Sequence, residues 1–110
     1  MSDDTPKVAV SGFRDDSLVL QEPARGKDLV ELTGHALDRM KARCVSQQDV
    51  LDVLRGNTVV VPQENPERVR LRWRKSARVT IDVVIEETSD RVIVVTVVRL
   101  DRSPIRRTRR

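Results

Sequence analysis

The sequence predicts an α+β domain: two short helices packed on an antiparallel sheet of three to five strands. Three observations predict it. Apolar residues recur at helical spacing from Thr33 to Leu54. From Thr58 to Leu100 they alternate with polar residues, or run together as valines, between turn signals. The chain has 110 residues, which suits one domain and is short for two.

The first helix is expected from Thr33 to Arg43, with Thr33 as its cap. Ala36, Leu37, Met40 and Cys44 fall on one arc at 3.6 residues per turn and are expected to face the core. Cys44 reads there as a small core residue. His35, Arg39 and Arg43 follow at steps of four and form a neighbouring cationic stripe. The second helix opens at Ser46, where Ser46 and Asp49 have the spacing of a capping box. Val50, Leu51, Val53 and Leu54 supply its buried side. Gly56 suits a left-handed cap at its end.

Strands follow. A short one runs from Thr58 to Val61 and stops at Pro62. From Arg68 to Trp73 the chain alternates, with Arg68, Arg70 and Arg72 on one face and Val69, Leu71 and Trp73 on the other. The next, from Arg78 to Ile85, turns Val79, Ile81, Val83 and Ile85 inward. The last, from Arg91 to Leu100, is apolar on both faces, as a central strand should be. Residues 1–28 read as an arm with short strands at Val8 to Val10 and Ser17 to Leu20. Residues 29–100 form the domain, and residues 101–110 a basic tail with five arginines.

The core must be aliphatic, because the chain holds one Trp, one Phe and no Tyr. The acidic N-terminus has no signal-peptide core, and no apolar run reaches the length of a membrane span. A cytoplasmic location and no membrane partner are the corresponding expectations. One Cys and one His cannot complete a tetrahedral zinc shell, and no cofactor is expected. Charge is uneven: residues 1–57 sum to −2 and residues 58–110 to +6. A basic half suits an anionic partner, with nucleic acid foremost, although a solvated arginine-rich surface has the same composition.

The run from Thr33 to Ser46 contains His35-Ala36, Arg39-Met40 and Arg43-Cys44-Val45-Ser46, followed by Val50, Leu54 and Gly56. It resembles the helix pair of the domain-of-unknown-function family 4258. The strands Val79 to Ile85 and Arg91 to Val97 also fit that pattern. Two positions depart from it: Cys44 stands where glycine is usual, and Val98 where an aromatic is frequent. The family is grouped with RelE- and ParE-like toxins, within the barnase, EndoU, colicin and RelE superclass of metal-independent ribonucleases.

The resemblance implies a RelE/barnase-like fold and an endoribonuclease toxin domain that cleaves RNA by transesterification. An antitoxin or immunity protein would be its partner, and delivery to a target-cell cytoplasm is a further implication. The alternatives are a non-catalytic ParE-like binder of proteins and a small RNA-binding regulator. Transesterification needs a base, an acid and groups that stabilise charge on the phosphorane. His35, the single histidine, is the candidate acid or base; a histidine beside a cap also serves by bonding a backbone carbonyl. Arg39 is the candidate phosphate contact, and Thr96 a hydroxyl facing the site from the sheet. Arg43, Arg68, Arg70 and Arg72 are candidate substrate-binding residues, since guanidinium groups match phosphate oxygens. The ladder Arg68, Arg70, Arg72 and Arg74 on one strand face sets guanidinium groups roughly 7 Å apart. The amphipathic strand's solvent face is the competing explanation for that ladder.

Overall fold

The computed structural model describes residues 16–102. Strands β1 (Leu18–Leu20) and β2 (Leu29–Leu32) lead into helices α1 (Gly34–Arg43) and α2 (Gln47–Arg55). Strands β3 (Val59–Val61), β4 (Val69–Arg74), β5 (Val79–Glu87) and β6 (Arg91–Asp101) follow. They form one six-stranded sheet in the order β1-β2-β6-β5-β4-β3.

Both helices pack on the same face, α1 over β6 and α2 over β5 and β4. Ala36 and Met40 of α1 and Val50, Leu51, Val53 and Leu54 of α2 meet Leu71, Ile81, Val83, Ile85, Val92, Val94 and Val97 of the sheet. The core is aliphatic, with Trp73 packed partly buried at its margin. Strand β6 is central, as its two apolar faces predict.

The sheet departs from expectation in two ways. It has six strands, and it is mixed: β2 runs parallel to β6, pairing Val30 with Val92 and Leu32 with Val94. Four residues, Leu-Val-Glu-Leu, were too few to show a strand period next to the helix cap. β1 matches the strand expected near Ser17 to Leu20 and pairs antiparallel with β2. The strand expected at Val8 to Val10, and the tail beyond Arg102, lie outside the described residues.

Local chemistry fixes the helix ends. Thr33 caps α1 by accepting from the Ala36 amide at 3.0 Å. Its own amide donates to the Val94 carbonyl at 3.2 Å, and its hydroxyl donates to the Val95 carbonyl at 3.2 Å. Those two carbonyls sit at a bulge in β6, where the register opposite Val84 and Ile85 slips by one residue. The bulge therefore anchors the start of α1. At α2 the capping box is complete, with Ser46 and Asp49 bonding each other's backbone amides at 3.0 and 3.1 Å.

Two expectations at the helix ends change places. Cys44, expected in the core, is exposed and ends α1 in the left-handed region at φ 56°. One residue past the last helical turn, its side chain leaves the apolar arc, and the backbone reversal exposes it. Gly56, expected to be left-handed, is extended at φ −92°. It is there for room: a Cβ would stand 2.7 Å from the Asp52 carbonyl oxygen and 3.5 Å from the Trp73 ring nitrogen.

Candidate nucleic-acid interface

The sheet has one face under the helices and one that carries most of its charge. On β4 the side chains alternate, so Leu71 is buried beneath the helices while Arg70 and Arg72 take the outer face. Opposite them on β5 lies Asp82, whose side chain has no exposed surface. Arg70 Nε donates to Asp82 Oδ2 at 2.7 Å. Arg72 grips the carboxylate with two bonds, Nε to Oδ1 at 2.9 Å and Nη2 to Oδ2 at 2.8 Å. Arg68 donates to Glu86 at 2.8 Å. Burial pushes the Asp82 carboxyl up, but the hydrogen bonds and charges of Arg72 and Arg70 outweigh it and hold the group below its ordinary value. The ladder read from the sequence is real as geometry, yet three of its rungs are engaged with carboxylates.

Among the described residues, cations without carboxylate partners lie elsewhere on the sheet as well. Arg74 ends β4, Arg78 closes the β4–β5 turn, and Arg102 follows β6. None of the three makes a side-chain bond or ion pair among the described residues. The Ser76 hydroxyl shapes that turn by accepting from the amides of Arg78 and Val79 at 3.3 and 3.2 Å. The Arg102 amide bonds the Arg78 carbonyl at 2.6 Å, so the two cations are pinned side by side through their backbones. Together with Arg72, Thr80, Val59, Leu100 and Asp101 they line an open cleft of about 550 Å³.

Asp101 also borders a smaller hollow of about 310 Å³, shared with Ala42, Arg43, Cys44 and Arg99. There Arg99 donates to Asp101 at 2.8 Å and to the Cys44 carbonyl at 3.1 Å. Arg43 is exposed and unpaired among the described residues. It continues along α1 to Arg39 and His35, both exposed and likewise without a bonded partner among those residues. At 1.5 Å rise per residue, His35 and Arg43 stand about 12 Å apart along the axis. The result is a basic belt. It runs from His35 down α1, across the hollow, around the end of β6 and into the arginine cleft.

Thr96 is not on that belt. It pairs with Val84, and its strand neighbour Val98 pairs with Asp82, which places Thr96 on the outer face with Arg70 and Arg72. His35 and Arg39 sit on α1, which covers the other face. The structure thus brings His35, Arg39 and Arg43 together, groups Arg68, Arg70, Arg72 and Thr96 separately, and keeps the sets on opposite sides. The bulge in β6 is the reason: by plain alternation from Val92 and Val94, Thr96 would have faced the helices. Arg78 and Arg99 were the residues that the sequence reading left out, while Arg74 stood in the ladder and Arg102 in the basic tail. Their signal was available in part, because each lies at a strand end.

Among the described residues no helix is long and apolar enough to cross a membrane. The model of the domain of unknown function DUF4258 matches residues 32–99, more than half of the chain. No curated protein and no solved structure matches significantly.

Proposed function

This chain belongs to the DUF4258 family, and from that premise we propose that it binds single-stranded RNA along the basic belt. One observation carries the reading: among the described residues, cations free of carboxylate partners line up on α1 and again in an arginine-lined cleft, and the Arg99–Asp101 pair joins the two groups. A polyanion satisfies such a path by releasing its counterions, whereas a paired arginine has already spent its charge on a neighbour. The near absence of aromatic side chains disfavours recognition by base stacking, so the contacts are with phosphates. Binding is then weakly selective for sequence.

The test is RNA affinity as a function of salt. Affinity should fall linearly on logarithmic axes. For the triple variant Arg74→Ala, Arg78→Ala, Arg102→Ala the slope should shrink by about two, since each phosphate contact contributes about 0.7 on a single strand. A wild-type affinity indifferent to salt sinks the proposal.

A second reading, that the domain also cleaves the bound strand as a metal-independent endoribonuclease toxin, is favoured by the state of His35. Thr33 provides the α1 cap, and among the described residues the His35 side chain makes no bond that would give it a structural task. The 2′-oxygen would attack phosphorus as the bond to the 5′-oxygen breaks, giving a 2′,3′-cyclic phosphate. The 2′-hydroxyl loses a proton and the leaving oxygen gains one. His35 would perform one transfer and water the other, with Arg39 and Arg43 bearing on the phosphorane's charge. Thr96 has no part in it. His35→Ala should slow cleavage by about a hundredfold or more while RNA affinity changes little. Cleavage at the full rate in that variant ends this reading and leaves the binding proposal intact.

A further inference from the structure

We infer that the free edge of β3 is a docking site for an extended, acidic segment of a partner protein, added to the sheet as a seventh strand beside the arginine cleft. This inference does not depend on RNA binding.

β3 is the last strand of the sheet, and only β4 pairs with it. Its outer backbone groups therefore point away from the sheet. Val59 and Val60 are 66% and 62% exposed, the two most exposed large hydrophobic residues described. Edges are usually guarded by lysine, by inward charge or by proline within the strand. From Gly56 to Gln63 this chain has no charge, and Pro62 comes after the strand rather than in it. Such an edge is a template for strand addition, in which the main chain provides affinity and alternate side chains provide selection.

The occupant is identified by charge. Val59 and Asn57 line the same cleft as Arg72, Arg74, Arg78 and Arg102. On an added strand, the side chains on the outer face lie beside Val59 and Val61, and the next position toward Asn57 opens on the arginines. Apolar residues suit the first two positions and a carboxylate the third. A second copy of this chain is disfavoured, because pairing β3 with β3 would bring two cationic clefts together around an uncharged strand. The opposite edge lacks this selectivity: next to β1, Glu31 is already bonded to Arg91 at 2.9 Å.

The experiment uses the full chain and two end-capped nine-residue peptides that are threonine except for valine at positions 2 and 4 and either glutamate or lysine at positions 6 and 8, so that these four side chains share one face. Binding is read by fluorescence anisotropy, and amide hydrogen exchange locates it. The glutamate peptide should bind, the lysine peptide should not, and amides in Val59–Val61 should exchange at least tenfold more slowly in the complex. Val60→Lys should weaken binding at least tenfold. So should Arg74→Glu with Arg78→Glu, which leaves the edge valines in place. Thermal melts establish that each variant is folded. Equal binding of both peptides, or protection confined to other strands, overturns the inference. A concentration-dependent dimer abolished by Val60→Lys overturns it in favour of a second copy. Protection of β3 by single-stranded RNA but not by the acidic peptide overturns it in favour of nucleic acid.

Discussion

The middle and the end of the β4–β5 pair use the same residue type for opposite purposes. On the outer face, Arg70 and Arg72 close over a carboxylate with no exposed surface, and Arg68 is held by Glu86. At the strand ends, Arg74, Arg78 and Arg102 surround a cleft and have no carboxylate partners among the described residues. Arg72 and Arg74 are two residues apart on one strand, yet one is committed and the other is free. Local net charge cannot tell them apart. What distinguishes them is the residue across the strand pair: Arg72 faces Asp82, and Arg74 faces Thr80. The first set is architecture, and the second is available to an anionic partner.

The largest effect should come from removing the anion that holds the first set. Asp82→Ala leaves two guanidinium groups facing each other over a gap in the sheet. Because Arg70 and Arg72 retain partial access to water, the loss should be about 2 kcal/mol, short of that for a fully buried pair. Single alanine substitutions of Arg74 or Arg78 should change stability by less than about 0.5 kcal/mol. Urea unfolding measures both; equal losses would erase the distinction. The same pair sets an acid limb. The folded Asp82 carboxyl lies below its ordinary value, so its contribution is complete above about pH 4 and declines as pH falls through the folded value. In Asp82→Asn that part of the acid limb should disappear.

Next in size is the contrast in binding. Replacing Arg74 and Arg78 with alanine should weaken RNA binding at least tenfold at low salt. Replacing Arg68, whose charge is already matched by Glu86, should weaken it less than twofold. Anisotropy titrations at one fixed salt concentration compare the two. If Arg68 proves as costly as the pair, the outer face is part of the RNA path and its ion pairs open on binding.

Cys44 sits between the two classes, since its carbonyl receives committed Arg99 while its neighbour Arg43 is free. Its left-handed backbone burdens any side chain with a steric cost of about 1 kcal/mol. Cys44→Gly keeps the carbonyl and removes that cost. The variant should be more stable by about 1 kcal/mol, with RNA affinity unchanged. A loss of stability would mean that the thiol's own contacts outweigh the backbone strain.

Much of the architecture was legible because its signals are local. Thr33 and Ser46 announced their helices, and the alternation from Val69 to Trp73 announced β4. β2 was not legible: it is four residues long, and its partner, β6, lies some sixty residues away. The candidate site was legible only along α1, where His35, Arg39 and Arg43 follow from helical spacing. Thr96 was misplaced relative to His35 because the bulge in β6 exists only in the pairing with β5. The arginine cleft was hidden for a similar reason, since Arg78 and Arg102 become neighbours through one backbone bond between distant residues.

The smallest expected effect extends the comparison to the far end of the belt. If His35 belongs with the free groups, its removal should cost the fold almost nothing. It is exposed, the α1 cap rests on Thr33, and among the described residues no bond ties the imidazole to the backbone. Exposed helix positions without such ties tolerate substitution within about 0.5 kcal/mol. Alanine also has the higher helix propensity, by up to about 0.7 kcal/mol, which offsets any small loss of contact. His35→Ala should therefore unfold at a urea midpoint equal to or slightly above the wild type, with the same slope. Thr33→Ala supplies the internal control. It removes a cap and a hydroxyl bond to the β6 bulge, and should cost about 1 to 2 kcal/mol. A destabilisation by His35→Ala approaching that of Thr33→Ala would assign the histidine to the architecture. The belt would then begin at Arg39, as a surface that binds RNA without a group to transfer a proton.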